Sequence, residues 1–164
     1  MLGVMKRIVA GDYGIASVKI TIPEGAAIKD INKIFNKVGF ENFEIKGAEL
    51  EGYLFPDTYF FYMDVAPEDA VAKMTENLKN KITLDLEKTI AESGRNFHQI
   101  LTMASLIEKE AAKQEDRRII SGILWKRFEN KMPLQVDAVF LYILDKNTFE
   151  LTIEDLKIDS PYNT

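Results

Sequence analysis

The spacing of apolar residues changes once along this chain, and that change limits the folds open to it. In "SVKITIP" Val18, Ile20 and Ile22 alternate with Ser17, Lys19 and Thr21, the two-residue period of a strand with one buried face. Residues 50–64, "LEGYLFPDTYFFYMD", hold Tyr53, Phe55, Tyr59, Phe60, Phe61 and Tyr62. That composition favours strand, and Pro56-Asp57 predicts a bend between two extended pieces. Past residue 66 helical spacing takes over. Strand signals ahead of helical ones predict an α+β class, a small strand-and-helix portion followed by a mainly helical one.

The individual elements follow from their punctuation. In "AAIKDINKIFNKVGF" Ile28, Ile31, Ile34, Phe35 and Val38 recur at helical spacing, and Gly39 is placed to stop the helix. One strand and one short helix bury too little to fold alone, so they are expected to pack on a neighbouring part of the protein. Pro67, Glu68 and Asp69 open a helix with proline and acids in its first turn. It is expected to run to about Ile90 with Val71, Met74, Leu78 and Ile82 inward, Ser93-Gly94 forming the break. Asn96 predicts an N-cap for a helix from Phe97 to about Lys113. A further helix is expected from Asp116 to about Asn130, carrying Ile119, Ile120, Ile123, Leu124 and Phe128, with Pro133 ending it. "PLQVDAVFLYIL" is expected to start extended and continue as a short apolar helix. No internal repeat or low-complexity segment is visible.

Composition narrows the functions. At 164 residues the chain has room for one domain, or one with a small satellite. A net charge of -5 and a pI near 5.0 argue against a nucleic-acid surface, and the pairs Lys6-Arg7 and Arg117-Arg118 are too short to reverse that. Without cysteine there is no disulfide, thiolate nucleophile or Cys-ligated zinc. His98 stands alone, which removes most histidine-based triads and metal clusters, and its position is that of a polar residue near a helix start. The apolar run in "MLGVMKRIVAGDYG" is too short for a signal or a membrane span, so the chain is expected to be soluble. It stops on the turn-forming "IDSPYNT", as a fragment of a longer protein would.

Glu108, in "MASLIEKEAA", is the residue whose position asks for an explanation. At about 100° per residue Phe97, Ile100, Leu101 and Ala104 lie along one line, and Glu108 and Ala111 continue it. Lys109 and Glu110 point elsewhere. The pattern therefore predicts that Glu108 turns toward the buried side. A carboxyl group kept from water is costly when charged unless it is paired, and such groups suit a general acid. The alternative is a helix emerging from the core with Glu108 paired to Lys109, Arg117 or Arg127. The aromatic segment has two meanings as well. It is a core hairpin, or a groove in which rings stack on sugars while tyrosine hydroxyls, Asp57 and Thr58 hold polar groups.

Four blocks occur in succession: "LEGYLFPDTY", "MASLIEKEAA", "GILWKRFENKMPLQVDAVFLY" and "LKIDSPYNT". Together they resemble the YceG-like family, the endolytic murein transglycosylases called MltG, and the likeness runs from about Ser17 to the last residue. The resemblance implies a LysM-like subdomain over residues 1–47, around "VKITIPEG". It implies a mainly helical catalytic domain with an aromatic strand segment over 48–164. The first glutamate of the family's "EKE" motif, its catalytic residue, matches Glu108. Tyr53, Asp57 and Tyr59, with Tyr62 beside them, become candidates for glycan contacts, as do Gln135, Asp137, Tyr142, Tyr162 and Asn163 in the later blocks. Glu51, Asp57 and Asp137 are candidate helpers or structural acceptors. Where the family usually has Asp-Pro-Thr, this chain has Asp137-Ala138-Val139, which keeps Gln135 and Asp137 but removes the threonine hydroxyl.

The activity implied is lytic cleavage of the β-1,4 bond between N-acetylmuramic acid and N-acetylglucosamine inside glycan strands. It leaves 1,6-anhydro ends, terminates nascent strands and needs no metal or organic cofactor. The implied partners are peptidoglycan glycan strands and peptidoglycan synthases, not nucleic acid. The implied location is the outer face of the bacterial cytoplasmic membrane, reached through an N-terminal helical anchor that this chain is expected to lack. The catalytic domain of the family continues past "SPYNT", so a truncated relative is expected. The competing possibilities are a non-catalytic glycan-binding module in which Glu108 is structural, and a hydrolase using a second acid and water.

Overall fold

Two strands separated by a helix open the fold. β1 (Val18–Thr21) and β2 (Thr58–Phe61) pair antiparallel, with Val18 opposite Phe61 and Thr21 opposite Thr58. The structure, a computed structural model, describes residues 17–111, 113–144, 146 and 148–158. The chain divides into two compact units, Met1–Lys81 and Ile82–Thr164.

In the first unit α1 (Ile28–Lys37) buries Ile28, Ile31 and Phe35. Its N-terminus is capped from a distance, since the Ile28 N–H donates to Glu51 Oε1 at 3.1 Å. Gly39 follows the helix at φ +105°, a conformation open to glycine and strained for other residues. Phe35 is fully buried; its ring stacks on Phe43 at 3.9 Å, with Phe40 and Phe61 each 5.3 Å away. Asn32 ties the helix to the following chain. Its Nδ2 donates to the Ile45 carbonyl at 3.1 Å, and its Oδ1 accepts the Ile45 N–H at 2.8 Å. Helix α2 (Pro67–Lys81), opened by Pro67 as expected, closes this core with the fully buried Ala70 and Met74.

The compact unit runs to Lys81, because β1 finds its partner in β2 and α2 completes the core. The aromatic segment is strand only in its second piece. Residues Ala48–Leu50 form a 3-10 turn ahead of the Pro56 bend. The helix expected to continue to Ile90 ends at Lys81, and α3 (Leu84–Glu92) begins anew where Thr83 Oγ1 accepts the Leu86 N–H at 3.2 Å. A threonine that can cap offers the backbone a fresh start and an exit from the helix before it.

The second unit is helical. α4 (Phe97–Glu110) starts at Asn96 as expected, in a reciprocal box in which Asn96 Oδ1 accepts the Gln99 N–H and Gln99 Oε1 accepts the Asn96 N–H. α5 (Gln114–Glu129) and α6 (Ala138–Leu144) pack on it. The core consists of Met103, Leu124 and Val136, flanked by Leu106, Ile107, Ile120, Trp125 and Leu134. Arg95 joins the start of α4 to α5, its guanidinium 4.0 Å above the Trp125 ring and its Nη2 on Glu129 at 2.6 Å. Past α6, Asp155 accepts from Lys146 Nζ, from the Thr152 N–H and from Thr152 Oγ1, contacts that hold its carboxyl down at about 2. Among the described residues no helix is long and apolar enough to cross a membrane. The class is α+β and mainly helical, as the change of period predicts.

Phe35→Ala is expected to cost about 3–5 kcal/mol in urea unfolding followed in the first unit, with the m-value retained. The Asp155 carboxyl sits below its ordinary value of 3.8, so it favours the folded state above pH ~4 and ceases to do so as pH falls through about 2. A carboxyl NMR titration should place its midpoint near 2, and Lys146→Met should move it up.

Candidate active site

Which side of α4 is buried decides where Glu108 points. Met103 is 4% exposed, and Leu106 and Ile107 pack beside it against Leu124 and Val136. Glu108 follows Met103 by five positions, about 140° round the helix, and is exposed, as are Ala104 and Ser105 one turn earlier. The sequence pattern points the other way. The line through Phe97, Leu101 and Ala104 faces outward at Ala104 and Glu108, because the longer side chains of Met103, Leu106 and Ile107 find partners on α5 and in the segment leading to α6.

Two of the three cations considered for Glu108, Arg117 and Arg127, bond elsewhere. Arg117 Nε donates to the Ala111 carbonyl at 2.8 Å. Arg127 Nη1 donates to the Leu134 carbonyl at 2.8 Å and to Gln135 Oε1 at 3.1 Å. Among the described residues no hydrogen bond or ion pair reaches the Glu108 carboxylate. Its support comes from the backbone. Helix α4 ends at Ala111, 5% exposed, whose N–H bonds to the Ile107 carbonyl and whose carbonyl Arg117 grips.

Gln135 and Asp137 lie in the same unit, on the segment between α5 and α6. Leu134 and Val136 turn into the core, Gln135 and Asp137 are exposed, and Gln135 has φ +55°. The Asp137 carbonyl accepts the Phe140 N–H at 3.0 Å in the first turn of α6, and Tyr142 on that helix is 37% exposed. Tyr162 and Asn163 lie outside the described residues.

The candidates of the first unit divide differently. Tyr59 is 5% exposed, with its hydroxyl donating to the Phe55 carbonyl at 2.6 Å and accepting from Asn77 Nδ2 at 3.0 Å. Its ring belongs to the core and presents no face to a sugar, and burial pushes its phenol up. The Asp57 carboxylate accepts from the same Asn77 Nδ2 at 3.0 Å and from the Thr58 N–H at 2.7 Å, bonds that hold it below the usual carboxylate range. Asp57, Tyr59 and Asn77 therefore lock the Pro56 bend. Glu51 is occupied at the α1 N-terminus. Tyr53 is half-buried, while Phe60 and Tyr62 are 55% and 51% exposed. Asn77, and the bonds that Arg117 and Arg127 in fact make, escape sequence reasoning, since no local spacing announces bonds to residues six to twenty positions away. Among the described residues no three His, Asp or Glu side chains converge as a metal ion requires.

The profile of the YceG-like family matches residues 1–164. The chain belongs to that family. The endolytic murein transglycosylase of Bacillus subtilis is 40% identical over 134 residues, which are 81% of this chain and 35% of that protein. The Streptococcus pneumoniae protein of the same name is 37% identical over 119 residues, 70% of this chain and 21% of that one. A crystal structure of a yceG-like protein from Listeria monocytogenes aligns with a TM-score of 0.71 at 28% identity, covering 98% of this chain and 63% of that one. This YceG-like chain thus spans roughly a third or less of the murein transglycosylases it matches.

Removing Asn77 should free the bend. In Asn77→Ala the Asp57 carboxyl is expected to titrate closer to its ordinary 3.8. The stability that its lowered value supplies above pH ~4, and loses below it, should diminish. Carboxyl NMR titration of both proteins checks this, and an unmoved Asp57 would remove Asn77 from the account.

Proposed function

We propose that this chain carries the catalytic core of a lytic transglycosylase, which cuts the β-1,4 bond between N-acetylmuramic acid and N-acetylglucosamine inside peptidoglycan strands. Glu108 is its acid and its base. The observation that carries this proposal is the condition of that carboxylate: exposed, with no partner among the described residues, on a helix whose other side is anchored in a core. A glutamate with a structural task is ordinarily spent on a partner, as Glu51 is. One left open on a rigid element is available to a substrate. Membership of the family and the murein transglycosylases at 36–40% identity support the same assignment.

The chemistry asks little of the protein. Neutral Glu108 gives its proton to the glycosidic oxygen as that oxygen leaves C1 of the muramoyl residue, so the N-acetylglucosamine departs with a free hydroxyl. The carboxylate then takes the proton of the muramoyl C6 hydroxyl as its oxygen bonds to C1. The 1,6-anhydro ring closes, Glu108 is neutral again, and no water is consumed. Positive charge developing at C1 is offset by the acetamido oxygen of the substrate. The second carboxylate that a retaining hydrolase places about 5 Å away is unnecessary here.

Gln135 and Asp137, in the same unit as Glu108, contact the glycan. The reaction takes place on nascent strands at the outer face of the cytoplasmic membrane, alongside peptidoglycan synthases, and limits strand length. One observation favours a second possibility, a module that binds glycan without cutting it: the exposed rings of Phe60 and Tyr62, two residues apart, on β2 and just past its end.

Mass spectrometry of peptidoglycan incubated with the chain should reveal anhydromuramoyl ends, reduced about 100-fold or more by Glu108→Gln. Reducing ends would point instead to a hydrolase. Unchanged strands from both proteins would point to the binding module.

A further inference from the structure

We propose that Arg127 is a positioning residue that turns the Gln135 amide so that its NH2 group is presented as a hydrogen-bond donor to an oxygen of the glycan. The proposal rests on the transglycosylase assignment and names a further element of the same site. Arg127, half-buried on α5, makes two bonds from one nitrogen, to the Leu134 carbonyl at 2.8 Å and to Gln135 Oε1 at 3.1 Å. A guanidinium group carries only donors, so the amide that meets it must offer its oxygen. The other end of the amide is then a donor by elimination. Gln135 is exposed, and its NH2 group makes no hydrogen bond among the described residues.

The backbone contributes to the same arrangement. Gln135 has φ +55°, a conformation uncommon for a residue with a Cβ and retained where the surroundings enforce it. Here Leu134 and Val136 are held in the core on either side, and Arg127 grips both the carbonyl before Gln135 and the side chain beyond it. The amide is therefore fixed at both its root and its tip. Acetamido carbonyls recur along an N-acetylated strand and are its strongest neutral acceptors, and a donor held in advance binds them without the cost of ordering a long side chain.

The test uses the whole chain and purified, N-acetylated glycan strands, with binding measured by calorimetry in a Glu108→Gln background and turnover in the parent. Gln135→Glu keeps an oxygen for Arg127 but removes the donor. It should leave the thermal midpoint within a degree or two, weaken glycan binding roughly tenfold and raise KM with little change in kcat. Gln135→Gly, which keeps the left-handed backbone without strain, should weaken binding to a similar extent. Arg127→Ala should weaken it too, and the double variant Arg127→Ala/Gln135→Glu should be no worse than the poorer single one. Binding within about twofold of the parent in Gln135→Glu and Gln135→Gly, or full additivity in the double variant, would overturn the proposal. If Arg127→Ala does not fold, the two Gln135 variants decide the matter alone. Absence of anhydro ends from the parent would count against the transglycosylase assignment, whereas the calorimetric comparison still judges the donor.

Discussion

A helix can give only one side to a core, and in α4 that side belongs to Met103, Leu106 and Ile107. The rest of the candidate site depends on this choice. With those side chains packed against Leu124 and Val136, Ala104 and Glu108 must face away. The carboxylate escapes the desolvation cost that a buried position would impose. It is oriented by the helix beneath it and by the grip of Arg117 on the Ala111 carbonyl, without any hydrogen bond of its own among the described residues. That combination of a rigid base and an uncommitted tip leaves the carboxylate open to a bulky polymer.

The polar residues of the motif blocks sort by whether their hydrogen bonds are already made. Asp57 and Tyr59 share the Asn77 amide and hold a proline bend, and Glu51 caps α1. These groups hold the first unit together around the stacked rings of Phe35 and Phe43. Glu108 and the Gln135 NH2 group have no such engagement among the described residues. Their blocks look alike as text, but the physics separates residues that build the scaffold from residues that the scaffold displays.

Much of the scaffold is legible in the sequence. The alternation of Val18, Ile20 and Ile22, the spacing from Ile28 to Phe35, the stop at Gly39, the start at Pro67 and the cap at Asn96 are all local signals. Each is set by sterics or hydrogen bonding within a few residues. Two other stretches mislead. Thr83 caps α3 and ends the preceding helix early, and only the second half of the aromatic segment is strand. Strand pairing is not local either: β1 finds its partner some forty residues on.

Helical periodicity decides which residues share a face, but not which face is buried. Two apolar lines compete on α4, one through Phe97, Leu101 and Ala104 and one through Met103, Leu106 and Ile107. Only the positions of Leu124 and Val136 break the tie. The same holds for Arg127, whose bonds to Leu134 and Gln135 require α5 to end where it does and the chain to turn back. The sequence by itself determined the class, most element starts, the family blocks and Glu108 as the residue to watch. The tertiary structure alone decided that Glu108 faces outward, that Tyr59 and Asp57 brace a bend, and that Gln135 offers a donor. Element type is set by neighbours along the chain, whereas the direction of a side chain is set by whichever distant surface claims the opposite face.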